Sequence, residues 1–553
     1  MNRTASVLRN VRRAAPSATT TALKLSFFLL LVVSSSPWAA DWPVFGHDAQ
    51  RTGWASEETT LTPQNVGGLE LKWSAQLKNE PKFLHALTAP IVASAVATPQ
   101  GTKTMVYVAG SSNGVFALDA ADGKLAWKRT LESRVLPGFG AYQGTFLCPN
   151  GITATPALDR GTHTLSIVGM DGRLLSLDLA TGKDRFPPLP FVAPFAKSWS
   201  LNIVDGVIYT AVSQGCGDAA SGFYSLDISN PRRPLLRRLL LSPTDTAGIW
   251  GSGGPVVPII GFMARQRMVS RTLWRENTPS VVAGSLPELE LVDYFTPHDW
   301  QRLSKEDLDL GSATPVWFTY EDYNLLVGGA KQGVVYLMNA DLLGGPEHGT
   351  PLFVTPPLGN DERSCCNGKG IWGALSTWKD DEGQRWIYVP VGGALSKNAP
   401  NFPTHNGPSP HGSIVAFRVG SEAASGKPIL LPAWASGDFN LPSPVVIANG
   451  VVFALSTGEN PDQSTDRIQN TRPAVLVALD AKTGRVLYRS DNAMHSWVHF
   501  SGLAVADGRV YAVDHDSRVY CFGLGGSAIR SIPASRTKGL APLCESPMGV
   551  KSR

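Results

Sequence analysis

The stretch ALDAADGKLAW at residues 117–127 is written again as SLDLATGKDRF at 176–186 and as ALDAKTGRVLY at 478–488. Each copy sets a short apolar pair before an aspartate, places a glycine four residues later and closes on an aromatic. Residues before the aspartate (Val115 and Ala117 against Phe116 and Leu118) suit a strand buried on both faces. Asp119, Asp178 and Asp480 can cap a turn with their side chains, and Gly123, Gly182 and Gly484 supply the positive φ of a tight reversal. Trp127, Phe186 and Tyr488 then open the next strand with a large apolar face. Such a hairpin cannot bury its own faces and must stack on its siblings.

Weaker copies fill the rest of the chain: YSLDISNP from 224, ELVDYFTP from 290, VYLMNADL from 335, IVAFRVGS from 414 and VYCFGLGG from 519. Taking the aspartate position as a marker gives Asp119, Asp178, Asp227, Asp293, Asn339, Arg418, Asp480 and Gly523. The spacing suits four-stranded blades with variable loops. Eight markers predict an all-β fold, an eight-bladed β-propeller of four-stranded antiparallel blades over residues 41–526, with 527–553 as an irregular tail.

Residues 1–40 read as a secretory leader. Arg3, Arg9, Arg12, Arg13 and Lys24 precede an apolar run from Leu25 to Val33 that is too short to span a membrane. Removing those five cations leaves 44 basic against 45 acidic residues, a net charge of −1. That balance carries no electrostatic footprint for nucleic acid or an anionic membrane. The expected place is the periplasm or the medium, with no stable membrane span in the mature chain.

Six cysteines in an exported chain favour disulfides, with fifteen connectivities open. Cys148 with Cys216 can link neighbouring blades, and Cys521 with Cys544 can tie down the tail. Adjacent Cys365 and Cys366 can close only an eight-membered ring; otherwise they are two thiols or belong to two separate bridges. No C-x-x-C-H occurs, so no c-type haem is attached.

The repeat, the leader and the opening segment DWPVFGHDAQRTGWA (41–55), followed by LTPQNVGGLELKW (61–73), together resemble the pyrroloquinoline quinone (PQQ) repeat proteins of the quinoprotein alcohol dehydrogenase-like superfamily. The resemblance runs from about Asp41 to Phe522. It implies a propeller whose ring is closed by an N-terminal strand added to the last blade, around 503–522. It also implies PQQ at the channel mouth, calcium held by Glu, Asn and Asp side chains, and an aspartate base. A vicinal disulfide packing on the quinone is a hallmark of many such enzymes. Here the adjacent pair lies late in the chain, whereas the family places it in an early blade.

Ligands of propellers bind where the innermost strands begin. Those starts predict a ring carrying Trp199, Trp250 and Trp372 with His85, His499, Asn150 and Asn202. The segment DERSCCNGKGIW (361–372) adds Cys365, Cys366, Arg363 and Lys369 as cofactor contacts. Asp309, Asp361 and Glu362 are the candidate catalytic carboxylates, and Glu362, Asp361 and Asn150 the candidate metal ligands. GIWG, present at 248–251 and 370–373, reads chiefly as glycines letting blades converge. The arginine-bearing stretch 262–276 reads as a loop insertion.

Two functions follow as expectations. One is a PQQ- and calcium-dependent dehydrogenase oxidising an alcohol or sugar and passing electrons to a separate acceptor. The other is a non-catalytic propeller acting as a scaffold for a protein or ligand in the cell envelope.

Overall fold

The structure, a computed structural model, describes residues 40–132, 147–241, 249, 251–258, 267–274, 278–461 and 468–525. Trp250, Cys544, the leader up to Ala39 and the tail from Gly526 lie outside the described residues, as do 133–146. The described residues form one compact unit built almost wholly of strands, and the single α-helix among them is Trp300–Lys305.

Among the described residues there are seven blades of four or more strands, not the eight expected. The first is Ile91–Thr98, Gly101–Gly110, Gly114–Asp119 and Leu125–Thr130. The second and third follow to Leu235–Leu240. The fourth runs from Val316–Tyr320 to Phe353–Val354, and the fifth is built on Arg385–Gly392, Gly412–Ser421 and Pro428–Ala435. The sixth contains Val446–Ala448 through Val486–Arg489, and the seventh Ala504–Ala506, Arg509–Val513 and Arg518–Leu524.

The error lies between the third and fourth blades. There the marker Asp293 belongs to a sheet of three strands, Arg267–Trp274, Thr278–Ser285 and Leu291–Phe295. The stretch read as a basic loop therefore contains a strand. An inner strand was expected after Gly251, but residues 251–258 form none, and the Val257 N–H instead donates to the Ala49 carbonyl at 2.8 Å. Counting turn aspartates counts hairpins, and a hairpin with one added strand still scores as a marker.

The repeat explains how blades lock together. Gly123, Gly182 and Gly484 have φ of 73°, 66° and 72°. An added Cβ would fall 2.5, 2.6 and 2.4 Å from the indoles of Trp73, Trp127 and Trp434, so only glycine leaves room for these rings. Each indole N–H also donates across the seam, to Ala120, Leu179 and Ala481 carbonyls at 2.9, 2.9 and 3.0 Å. Each tryptophan comes from the blade before the glycine it covers. Asp119, Asp178 and Asp480 accept N–H groups two or three residues on, which holds the turn.

The ring closes where Leu69–Gln76 pairs antiparallel with Arg518–Leu524. The segment before it ties the inner strands together. Trp42 pairs with Val92, and the carbonyls of Pro43, Gln50, Thr52 and Gly53 accept from the N–H groups of Leu158, Trp317, Thr377 and Ile447. Arg51 is 1% exposed and donates to Phe45 and Leu201 carbonyls, its pKa pushed down to about 9 by burial. One peptide thus satisfies backbone groups on five blades that would otherwise face an empty axis.

Candidate functional site

Asp309 lies at the start of the fourth blade, immediately before the 3₁₀ turn Leu310–Ser312. The hairpin Gly329-Ala330-Lys331-Gln332-Gly333 returns to the same point, and the Lys331 N–H donates to the Asp309 carbonyl at 3.2 Å. The side chains meet as well: Lys331 Nζ is 2.8 Å from Asp309 Oδ2 and 3.4 Å from Asp307 Oδ1. Lys331 is 3% and Asp309 6% exposed. Burial raises the Asp309 carboxyl, Lys331 opposes the rise and Asp307 reinforces it, leaving it pushed up to about 6. A carboxylate so poised can accept a proton near neutral pH.

Trp372 borders Lys331, and the vicinal disulfide borders Asp307. Gly370 has φ of 89°, and a Cβ there would fall 2.0 Å from the Lys331 carbonyl, so glycine lets the fifth blade's first strand press against the hairpin. That contact brings the Trp372 ring to 5.3 Å from Lys331 Nζ, a cation–π distance. Its indole N–H donates to the Lys369 carbonyl at 2.8 Å. Cys365 and Cys366 are joined to each other, and Cys366 Sγ lies 3.8 Å from Asp307 Oδ2. Asn360 holds the loop by donating to the Lys331 and Ser364 carbonyls at 2.7 and 3.0 Å.

The other residues of that loop brace it. Asp361 accepts from Ser396 Oγ at 2.5 Å and from the Lys397 N–H, which lower its pKa. Glu362 is exposed and paired with Lys369, and Arg363 reaches Glu306 at 3.7 Å. Thus Asp309, Trp372, Cys365 and Cys366 come together, whereas Asp361, Glu362 and Arg363 face local partners.

A second group gathers around His499. His499 Nδ1 lies 2.8 Å from Glu459 Oε1, and His85 meets His499 edge-on at 6.3 Å. His85 is pushed well below its ordinary value by burial, then by Lys197, His499 and His515. Lys197 lies 5.1 Å over the Trp199 ring and 2.8 Å from Gln214 Oε1, its pKa lowered to about 7 by burial. Asn202 is fully buried and donates to Ala49 and Pro255 carbonyls, which places it in the axial bracing. Asn150 is half-buried with φ of 51°.

Of the cystines expected, Cys148–Cys216 joins the second and third blades with Cα atoms 5.5 Å apart. Cys521 is a buried free thiol, and its expected mate Cys544 is outside the described residues. Sequence reasoning missed Lys331, Lys197 and Glu459. For Lys331 the available signal was a lysine inside a glycine-rich hairpin bounded by apolar strands.

The residues present can be tested against both cofactors. Calcium takes six to eight oxygen ligands. Among the described residues, the grouping of three His, Cys, Asp or Glu atoms within reach of one ion is Asp307 with Cys365 and Cys366, two of them disulfide sulfurs. Lys331 meanwhile stands beside Asp309 where a cation would stand. The described carboxylates therefore form no cluster of three that could hold calcium by themselves. A flat ring with a hydrogen-bond acceptor fits better, because Lys331 supplies an N–H donor while Trp372 and the disulfide supply apolar surface.

Comparison with known proteins agrees with the architecture. Residues 42–187 match the family model described as "Glucose/ethanol/alcohol dehydrogenase, beta-propeller domain". The glycerol dehydrogenase large subunit of Gluconobacter oxydans (strain 621H) is 24% identical over 205 residues, 36% of this chain and 24% of that protein. The quinohemoprotein alcohol dehydrogenase ADH-IIG of Pseudomonas putida is 26% identical over 217 residues, 36% of this chain and 27% of that protein. These matches span about a quarter of the length of the curated relatives. A europium-containing methanol dehydrogenase superposes with a TM-score of 0.52 at 14% identity, covering 87% of this chain and 89% of that one, a likeness of fold alone. No helix among the described residues is long and apolar enough to cross a membrane.

Proposed function

Starting from a chain that is a PQQ-type β-propeller related to the quinoprotein alcohol dehydrogenases, we propose that it is an exported, quinone-dependent dehydrogenase of an alcohol or sugar. The observation that carries this reading is the buried Asp309–Lys331 pair set against Trp372 and the vicinal disulfide. Bound PQQ would supply the two-electron acceptor. Asp309 would take the hydroxyl proton of the substrate as hydride leaves its carbon, its raised pKa making it a stronger base than an ordinary aspartate while it stays mostly ionised at neutral pH. Lys331 would donate a hydrogen bond to a carbonyl oxygen and stabilise negative charge there. Trp372 and Cys365–Cys366 would orient a flat ring and exclude water. The leader at 1–40 would direct the chain to the periplasm or the medium, and a separate protein would collect the electrons.

A second reading, a non-catalytic envelope scaffold, draws its support from the absence of a calcium-type ligand set among the described residues. One experiment separates the two. The purified mature protein is incubated with micromolar PQQ, with and without calcium, and assayed for a bound-quinone spectrum and alcohol-dependent dye reduction. The enzyme reading expects both signals. It also expects Asp309→Asn to keep the spectrum and lose turnover by about 10²–10⁴-fold. No bound quinone under either condition would leave the scaffold.

A further inference from the structure

A groove of about 640 Å³, open to solvent, lies where the fourth blade's first strand, Val316–Tyr320, meets the turn joining Ser376–Lys379 to Arg385–Gly392. Asp309 precedes the start of that first strand, so the groove is at its other end. Every side chain that lines it is polar, Thr319 and Tyr320 among them. Lys379 and Arg385 are direct partners in the antiparallel register, so their side chains leave the same face, and both line the groove. Neither forms an ion pair among the described residues. Two like charges set directly opposite one another destabilise a sheet. The Arg385 guanidinium lies 5.2 Å over the Phe318 ring, and its Nε is buried with no hydrogen-bond partner. Burial pushes its pKa down to about 10, while Asp48, which opposes the fall, is held by the Thr52 N–H at 2.9 Å. A buried donor left unpaired beside a second cation is the arrangement that an oxyanion completes.

We propose that this groove binds a hydroxylated monocarboxylate of the sugar-acid class, its carboxylate on Arg385 and Lys379 and its hydroxyls on Thr319 and Tyr320. The planar guanidinium matches a carboxylate with parallel N–H donors, and Lys379 adds a second positive charge. Glu321 and Glu382 also line the groove and limit the ligand to one negative charge. Glu382 is 2.8 Å from Lys482 Nζ, whereas Glu321 forms no ion pair among the described residues, so a dianion would meet its carboxylate. A fatty acid would find no apolar wall for its chain. The inference stands on the register, the unpaired Nε and the polar lining, and is independent of the dehydrogenase reading.

The test uses the mature chain without cofactor and D-gluconate as the probe, read by isothermal titration calorimetry. Saturable binding is expected, with D-glucose, which lacks the carboxylate, binding about ten-fold more weakly or less. Arg385→Gln should weaken gluconate binding about ten-fold or more. Lys379→Gln should weaken it several-fold. That substitution removes a like-charge pair at an exposed position, so it should not lower Tm, and it keeps the test valid if the Arg385 variant does not fold. Non-saturating binding, variants that bind gluconate as tightly as the wild type, or inorganic phosphate binding as tightly as gluconate would overturn the proposal. PQQ binding is measured on the same samples. Its absence alongside intact gluconate binding would sink the dehydrogenase reading and leave the groove standing.

Discussion

The seam at Trp434 and Gly484 and the corner at Asp309, Lys331 and Trp372 are both buried contacts between blades, yet they are built in opposite ways. At the seam, the glycine that makes room, the aspartate that holds the turn and the accepting carbonyl all lie within 480–484. The tryptophan arrives from the previous blade in a position the repeat prescribes. At the corner, Asp309, Lys331 and Trp372 come from a strand start, a hairpin and the next blade's first strand. None of these stretches is a copy of another. The seam stores shape in a peptide that can be repeated, whereas the corner stores charge in an arrangement that occurs once.

Breaking the seam should cost the most stability. Trp434 is fully buried, so Trp434→Ala should destabilise the protein by about 3–5 kcal/mol, measured by urea unfolding. Activity per folded molecule should hardly change. If instead turnover falls with stability unaltered, the division between seam and corner is wrong.

Lys331→Met attacks the corner and should show the reverse pattern. Removing the ammonium leaves Asp309 buried beside Asp307, so its pKa should climb further above about 6. The acid limb of the pH–activity profile should move up by about one unit or more. An unmoved limb would mean that Asp309 is not the group that titrates.

The smallest effect is on the wild-type protein. The folded carboxyl of Asp309 is raised from 3.8 to about 6, so the folded state holds this proton more tightly than the unfolded chain. The stability it contributes is fully present below the unfolded value and is lost as pH rises through about 6. Urea titrations between pH 4 and 7 should show a falling component that disappears in Asp309→Asn. A slope unchanged by that substitution would contradict the raised pKa.

The contrast also marks what could be read without coordinates. Strand-turn-strand units and their glycines were legible, because each is specified by neighbours within about ten residues, whereas the closing strand was implied only by the family resemblance. The blade count failed between the third and fourth blades, because Asp293 reports a hairpin and not the strand missing beside it. Asp309, Trp372 and the adjacent cysteines stood out by position or rarity. Lys331 and Glu459 did not, since their partners lie 22 and 40 residues away.

Sequence alone determined that this chain is a ring of stacked hairpins, since alternation, turn chemistry and repetition are local properties that survive without knowledge of distant contacts. Tertiary structure decided that there are seven full blades among the described residues, that an N-terminal peptide ties their inner strands, and that a lysine is paired with the candidate catalytic carboxylate of Asp309. Those outcomes depend on which backbones converge at the axis. Convergence is settled by packing across the ring, where burial makes each charge depend on neighbours remote in sequence.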